Sequence, residues 1–346
     1  MQNDRNLAVI TFMKGYAILT IVLFHLFQNT GIDSVVGKAI AFGGTGVHTF
    51  FLLSGFGLYL SHCRHPLSVT AFIKKRFAKV YVPYLGVVLL SALLAGFIPI
   101  FEQDAYALLG HIFLYKMFDD RIIGSYGYHL WFVSTIIQFY IAFPALVWLK
   151  QRVSDTAFLL LTLAASGLWI AVVLALEKEG VRAWYSFFLQ YVWEFGVGML
   201  LAQRYIQYGT LRLPSLKVLG GLALLGLTVY SLMTLYWGSF GKMINDGPGL
   251  VGYTAVGLFI YRLRLAWIQR FLLFTGIISY ALYLVHIAVK LTSKYVLAYY
   301  GWPLNALSLF IILLLSYLIA YYYHRWVVNT NVSRKSLVGL LTLKST

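Results

Sequence analysis

The chain has 346 residues, of which 60% are hydrophobic and only 11% charged, and its formal net charge is +16. So little polar surface cannot keep a chain of this length in water, which excludes a soluble globular enzyme. The positive excess does not point to nucleic acid, because the basic residues sit in short connectors between apolar runs, where membrane proteins carry them.

Runs of roughly 20 apolar residues recur along the chain, the length that crosses about 30 Å of hydrocarbon. The first begins near Leu7 and extends to about Gln28. It lacks a small-residue cleavage site and reads as a retained helix rather than a removable signal peptide. It carries Lys14 and His25. Ionisable groups at membrane depth cost a few kcal/mol, so each is a candidate functional group. At about 100° per residue the two project from one helix face, roughly 16 Å apart along the axis, with Lys14 in the inner half and His25 near the outer end. A lysine snorkelling to the interface and a histidine that only packs remain the alternative readings.

Further spans are expected at about 46–62, 80–100, 129–149, 157–176, 184–203, 217–237, 247–262, 271–289 and 304–325. The expected fold is therefore an all-α, polytopic transmembrane helix bundle of about ten spans. It forms a single domain over 1–346, with no appended soluble domain. The stretch 105–118 is amphiphilic and too short to cross, so it reads as an interfacial or re-entrant helix. With the N-terminus inside, the inner connectors gather most of the basic residues, among them Lys74, Lys75, Arg76, Lys79, Arg262, Arg264, Arg270 and Lys344. The outer connectors hold Lys38, Lys116, Arg182, Lys290 and a few others. The positive-inside rule then puts both termini in the cytoplasm.

Several residues carry two readings each. Ser54 beside Gly55 suits close helix approach better than a nucleophile. Glu194 inside the sixth span is costly and calls for a cationic partner, which the sequence does not identify. Tyr126, Tyr128, His129 and Trp131 cluster before the fourth span, where aromatic faces suit sugar rings but also gather at any membrane interface. The single Cys63 cannot form an internal disulfide. No metal site is expected, since the eight histidines combine with acidic residues at no familiar ligand spacing.

Residues 44–60 read GTGVHTFFLLSGFGLYL, residues 72–85 read FIKKRFAKVYVPYL, and residues 276–286 read GIISYALYLVH. With Lys14, ten residues and His25, and with HLWFV at 129–133 followed by Tyr140 and Pro144, these resemble the membrane-bound acyltransferase-3 family. The resemblance runs in order across most of the chain. Carried over by position, His25 matches the family's essential histidine and Lys14 its basic partner, usually arginine. Ser54, Gly55 and Phe56 match its SGF turn, Arg76 and Lys79 its paired basic residues, and Tyr280, Tyr283 and His286 its late motif. Lysine replaces arginine at 14 and 79, which keeps the charge and loses the planar fork. His48 stands where the family often has an acidic residue.

The resemblance implies a multi-pass protein of the bacterial inner membrane that moves an acyl group, by default acetyl, from cytoplasmic acetyl-coenzyme A to a hydroxyl. The acceptor is implied to be a glycan or lipid-linked saccharide on the outer side. Lys14, Arg76 and Lys79 suit the polyanionic end of the donor, although a basic run there also serves as a positive-inside anchor. Ser54 and Tyr283 are grouped with them on the donor side, and His129, Trp131 and His286 on the acceptor side. His25 suits the general base, its ordinary pKa near 6.5 matching that task. Tyr283, His286 and Ser54 are all open as the donor to a tetrahedral oxyanion. The competing reading is a transporter or flippase of a glycan or acylated substrate, since buried charges among many spans fit that class too. The sequence is silent on the oligomeric state.

Overall fold

The computed structural model describes residues 2–28, 42–101 and 104–342. Lys38 and Lys344 lie outside the described residues. All regular structure among the described residues is helical. In chain order the helices are α1 Gln2–Phe27, α2 Gly46–Arg64, α3 Val69–Ala95, α4 Ala105–Ile112, α5 Trp131–Arg152, α6 Asp155–Ala175 and α7 Arg182–Tyr185. They continue with α8 Val192–Tyr208, α9 Leu216–Tyr236, α10 Gly238–Ile244, α11 Asp246–Arg262, α12 Ala266–Ile277, α13 Ser279–Tyr299 and α14 Ala306–Thr342. Seven of these helices are long and apolar enough to cross a membrane, namely α1, α3, α5, α6, α9, α13 and α14. Helices α8, α11 and α12 have 17, 17 and 12 residues. Helix α2 is long enough at 19 residues but carries His48, Ser54, Ser61 and His62 among its apolar residues.

Element boundaries depart from expectation in ways that bear on function. The predicted span 271–289 is two helices broken at Ile278, where the run Thr-Gly-Ile-Ile-Ser strings together weak helix formers. The predicted span 80–100 is helical from Val69 to Ala95. Ser68 caps it, accepting from the Ala71 amide at 3.3 Å. The basic run 74–79 therefore lies on the helix, not in a connector, and Arg76 and Lys79 fall one turn apart on one face. The predicted span 184–203 becomes the short α7, a 3-10 turn at Phe188–Tyr191 and then α8. Helix α14 runs on past 325. The amphiphilic stretch 105–118 folds as α4 followed by a 3-10 turn at Lys116–Phe118.

Helix pairs that pack most closely are α2 with α8, α9 with α11, α1 with α12 and α13 with α14. Three of the four use facing glycines. A Cβ on Gly55 would collide with the Phe195 carbonyl, and one on Gly198 with the Leu52 carbonyl. Gly226 faces Gly252 across α9 and α11, while Gly15 and Gly276 abut the Leu272 and Thr11 carbonyls across α1 and α12. Between lipid-solvated helices no apolar transfer term draws surfaces together, so van der Waals contact between closely approaching backbones has to do so. Helix α1 touches α2, α11, α12, α13 and α14. That central position is what buries polar groups on a span near the end of the chain. The core around it includes Ile18, Val22, Phe51, Phe139, Phe195 and Leu282, with the rings of Phe139 and Phe195 stacked at 4.5 Å.

Candidate active site

Two polar clusters lie along α1. In its N-terminal half Lys14 lies within the electrostatic reach of Lys79 and Arg76 on α3. Arg76 donates to Ser61 Oγ at 3.0 Å, and its Nε is buried without a partner. No carboxylate pairs with Lys14, Arg76 or Lys79 among the described residues. Three cationic side chains within electrostatic reach of one another, with no carboxylate partner among the described residues, favour a polyanion there. Pro83 interrupts the hydrogen bonding of α3 just beyond, and the nearby Val80 and Pro83 carbonyls accept from Tyr280 at 2.7 Å and from Tyr323 at 2.5 Å. Tyr280 thus ties α13 to α3, so the helices facing Lys14 and His25 are joined.

At the C-terminal end of α1 three histidines meet. His25 Nδ1 lies 2.9 Å from His286 Nε2, with the rings stacked at 5.1 Å. His129 stands edge-on to both, at 6.1 Å from His25 and 4.8 Å from His286. Both ring nitrogens of His129 are buried without a partner. His286 Nδ1 faces the carbonyls of Leu282 and Tyr283 at 3.0 and 2.8 Å. The Tyr283 hydroxyl donates to the His129 carbonyl at 2.6 Å, so it braces the histidine cluster rather than the three cations. Ser54 is half-buried on α2, and its hydroxyl makes no side-chain hydrogen bond among the described residues. Trp131 opens α5 and lies under the Arg182 guanidinium at 4.9 Å. Arg182 also covers Tyr128 and Tyr185 at 4.3 Å each.

Lys290, read from the sequence as a charge in an outer connector, is 8% exposed on α13. Its ammonium donates to the carbonyl of His25 itself, and to that of Gln28 at 3.1 Å. A cation there satisfies carbonyls left open at the C-terminus of α1 and complements the helix dipole. The spacing from His286 to Lys290, one turn on one face, was the sequence signal for it. Lys290→Met is expected to remove roughly 1.5–3 kcal/mol of local stabilisation. Hydrogen exchange of the Phe24–Gln28 amides checks this; protection equal to the parent protein's would contradict it.

The loop that seats His129 rests on a second buried cation. Lys116 is 1% exposed and donates to the carbonyls of Ser125 and Gly127 at 2.8 and 2.7 Å. Gly127 adopts φ +115, and a Cβ there would strike the His129 ring, so only glycine turns the chain and leaves room for the imidazole. His111, fully buried nearby, faces Ser125 O through Nε2 at 3.0 Å and Tyr84 Oη through Nδ1 at 2.7 Å. Desolvation, then the charge of Lys116, push its pKa down to about 2. The unfolded ring titrates near 6.5, so below that pH the unfolded chain binds a proton that the folded one refuses. The loop layer is therefore expected to lose about 1.4 kcal/mol per pH unit as pH falls below 6.5. Proteolysis of the 105–127 segment at pH 7 and pH 5 reads this. His111→Gln should flatten the dependence, and an unchanged slope would refute the assignment.

A third cluster joins three helix N-termini. His48 Nδ1 lies 2.7 Å from Glu194 Oε1, and His48 Nε2 lies 3.3 Å from Asp246 Oδ1. Gln190 donates to Asp246 Oδ2 at 2.8 Å. This supplies the partner that Glu194 calls for, and Asp246 carries no signal in the sequence. The three residues come from α2, α8 and α11, so no short ligand spacing marks them. They are close enough together to hold a metal ion. With the ring protonated, His48 donates to Glu194 through Nδ1 and pairs its charge with Asp246 on the Nε2 side, an imidazolium clamp between two carboxylates.

The acyltransferase-3 family model, an acyltransferase domain, matches residues 7–325. The acyltransferase MdmB of Streptomyces mycarofaciens is 32% identical over 151 aligned residues, which take in 39% of this chain and 38% of that relative. No solved structure matches the chain.

Proposed function

The chain belongs to the acyltransferase-3 family, and from that premise we propose that it moves an acyl group, acetyl in the first instance, from cytoplasmic acyl-coenzyme A to a hydroxyl of an exported or lipid-linked saccharide. His25 is the general base. About ten spans hold the bundle in a bacterial inner membrane, with both termini in the cytoplasm. The observation that carries the reading is that one face of α1 meets an unneutralised cation cluster at one end and a histidine cluster at the other. Lys14, Arg76 and Lys79 suit the phosphates of the donor. The roughly 16 Å from Lys14 to His25 suits an extended carrier arm that brings its thioester to the imidazole.

The acceptor hydroxyl gives its proton to His25 as its oxygen attacks the thioester carbonyl. The tetrahedral oxyanion then collapses, the carbon–sulfur bond breaks, and the leaving thiolate takes the proton back from His25. No net proton is gained or lost by the enzyme. His129, with two unclaimed ring nitrogens, suits a hydrogen bond to the acceptor or to the oxyanion. The Trp131, Tyr128 and Arg182 surface suits a sugar ring and an attached anionic group.

The test is thiol release from acetyl-coenzyme A by the purified chain in nanodiscs. Arg76→Gln and Lys79→Gln are each expected to raise KM for the donor about tenfold or more, in line with roughly 1.5–3 kcal/mol for a hydrogen bond to a charged group. Values of kcat should change less. A donor KM indifferent to both substitutions would remove the donor site from α3.

A further inference from the structure

His286 Nδ1 faces two backbone carbonyls, Leu282 O at 3.0 Å and Tyr283 O at 2.8 Å. Carbonyl oxygens only accept, so Nδ1 carries a hydrogen. In a neutral ring that leaves Nε2 with a lone pair, and Nε2 is the atom 2.9 Å from His25 Nδ1. Two lone pairs cannot face each other at that distance, so the hydrogen between the rings belongs to His25 Nδ1. His25 Nε2 is then the nitrogen left with a lone pair. The direction of the whole chain is set by the helix backbone of α13, because its carbonyls cannot turn around. His286 is itself fully buried, so water does not compete for its nitrogens.

We propose that His286 is a positioning residue that fixes His25 as the Nδ1–H tautomer and so leaves His25 Nε2 as the basic atom. This rests on the reading of His25 as general base and assigns the atom that performs it. The logic is that of an orienting group behind a catalytic imidazole, with a backbone-anchored neutral histidine where a carboxylate often stands. When His25 Nε2 takes the acceptor's proton, Nδ1–H continues to donate to His286, which stabilises the imidazolium without receiving its proton. Lys290 holds the backbone of the same residue, so ring tautomer and helix end are fixed from one face of α13.

The experiment reads the tautomer directly and apart from turnover. The full chain is labelled with ¹⁵N-histidine and studied in nanodiscs, with the His25 resonances assigned by their loss in His25→Ala. In the parent protein His25 is expected as the Nδ1–H form. His286→Gln offers a carbonyl to His25 and an amide to the α13 backbone, and should preserve that form. His286→Leu should release it toward Nε2–H. In parallel, kcat should survive within about tenfold in His286→Gln and fall about 10²- to 10⁴-fold in His286→Leu, the range over which positioned acid–base groups act, with donor KM unchanged. An Nε2–H form of His25 in the parent protein, or one tautomer in all three proteins, overturns the proposal. Undiminished turnover in His25→Ala would instead defeat the base assignment, leaving the tautomer result to stand by itself.

Discussion

Acyl transfer by His25→Ala is expected to fall about 10²- to 10⁴-fold, the contribution typical of a positioned general base. Donor affinity should hardly move, because Lys14, Arg76 and Lys79 lie about three helical turns away and stay intact. The combination matters more than the loss alone. A residue that only packed α1 against α13 would weaken the fold, and donor binding with it. Steady-state turnover with acetyl-coenzyme A, paired with equilibrium binding of the donor, separates the two. Turnover within tenfold of the parent protein would end the role given to His25.

Glu194→Gln should cost about 3–5 kcal/mol of stability, the penalty for removing one partner from a buried ion pair. Glu194 is wholly buried and takes His48 Nδ1 at 2.7 Å, whereas Asp246 reaches the other nitrogen only at 3.3 Å. Without the Glu194 charge, the imidazolium keeps its weaker partner alone. The clamp joins α2, α8 and α11 on the flank of the bundle where Gly55 and Gly198 already draw α2 to α8. Replacing His48, Glu194 and Asp246 together by leucine removes every charge of this cluster at once. That triple variant should be markedly less damaged than Glu194→Gln. Thermal midpoints in detergent distinguish these outcomes. A parental midpoint for Glu194→Gln would show that the clamp carries no stability.

Much of the architecture was legible in the chain. An apolar run long enough to span hydrocarbon is a local property, so α1, α3, α5, α6, α9 and α14, which are long and apolar enough to cross, each overlap a span expected from the sequence, while the helix of that kind at Ser279–Tyr299 begins eight residues beyond the expected start at 271. The shared face of Lys14 and His25 was legible for the same reason, since helical periodicity fixes it. The break at Ile278 was missed because hydropathy averages over a window and does not register backbone direction. The stretch 105–118 was legible as a short non-crossing helix, and α4 forms its first part, whereas the separation of α7 from α8 inside the expected span 184–203 was not.

What lay beyond the sequence were the partners. His25 meets His286, Glu194 meets His48, and Lys290 reaches the backbone of His25 across separations that no spacing rule covers. The chain by itself determined that ionisable groups would fall within long apolar helices and on which face of α1 two of them would stand. Only the tertiary structure decided which nitrogen faces which acceptor. A hydrogen bond forms within about 3 Å, and which helices come that close is set by facing glycines and side-chain shape between elements distant in sequence.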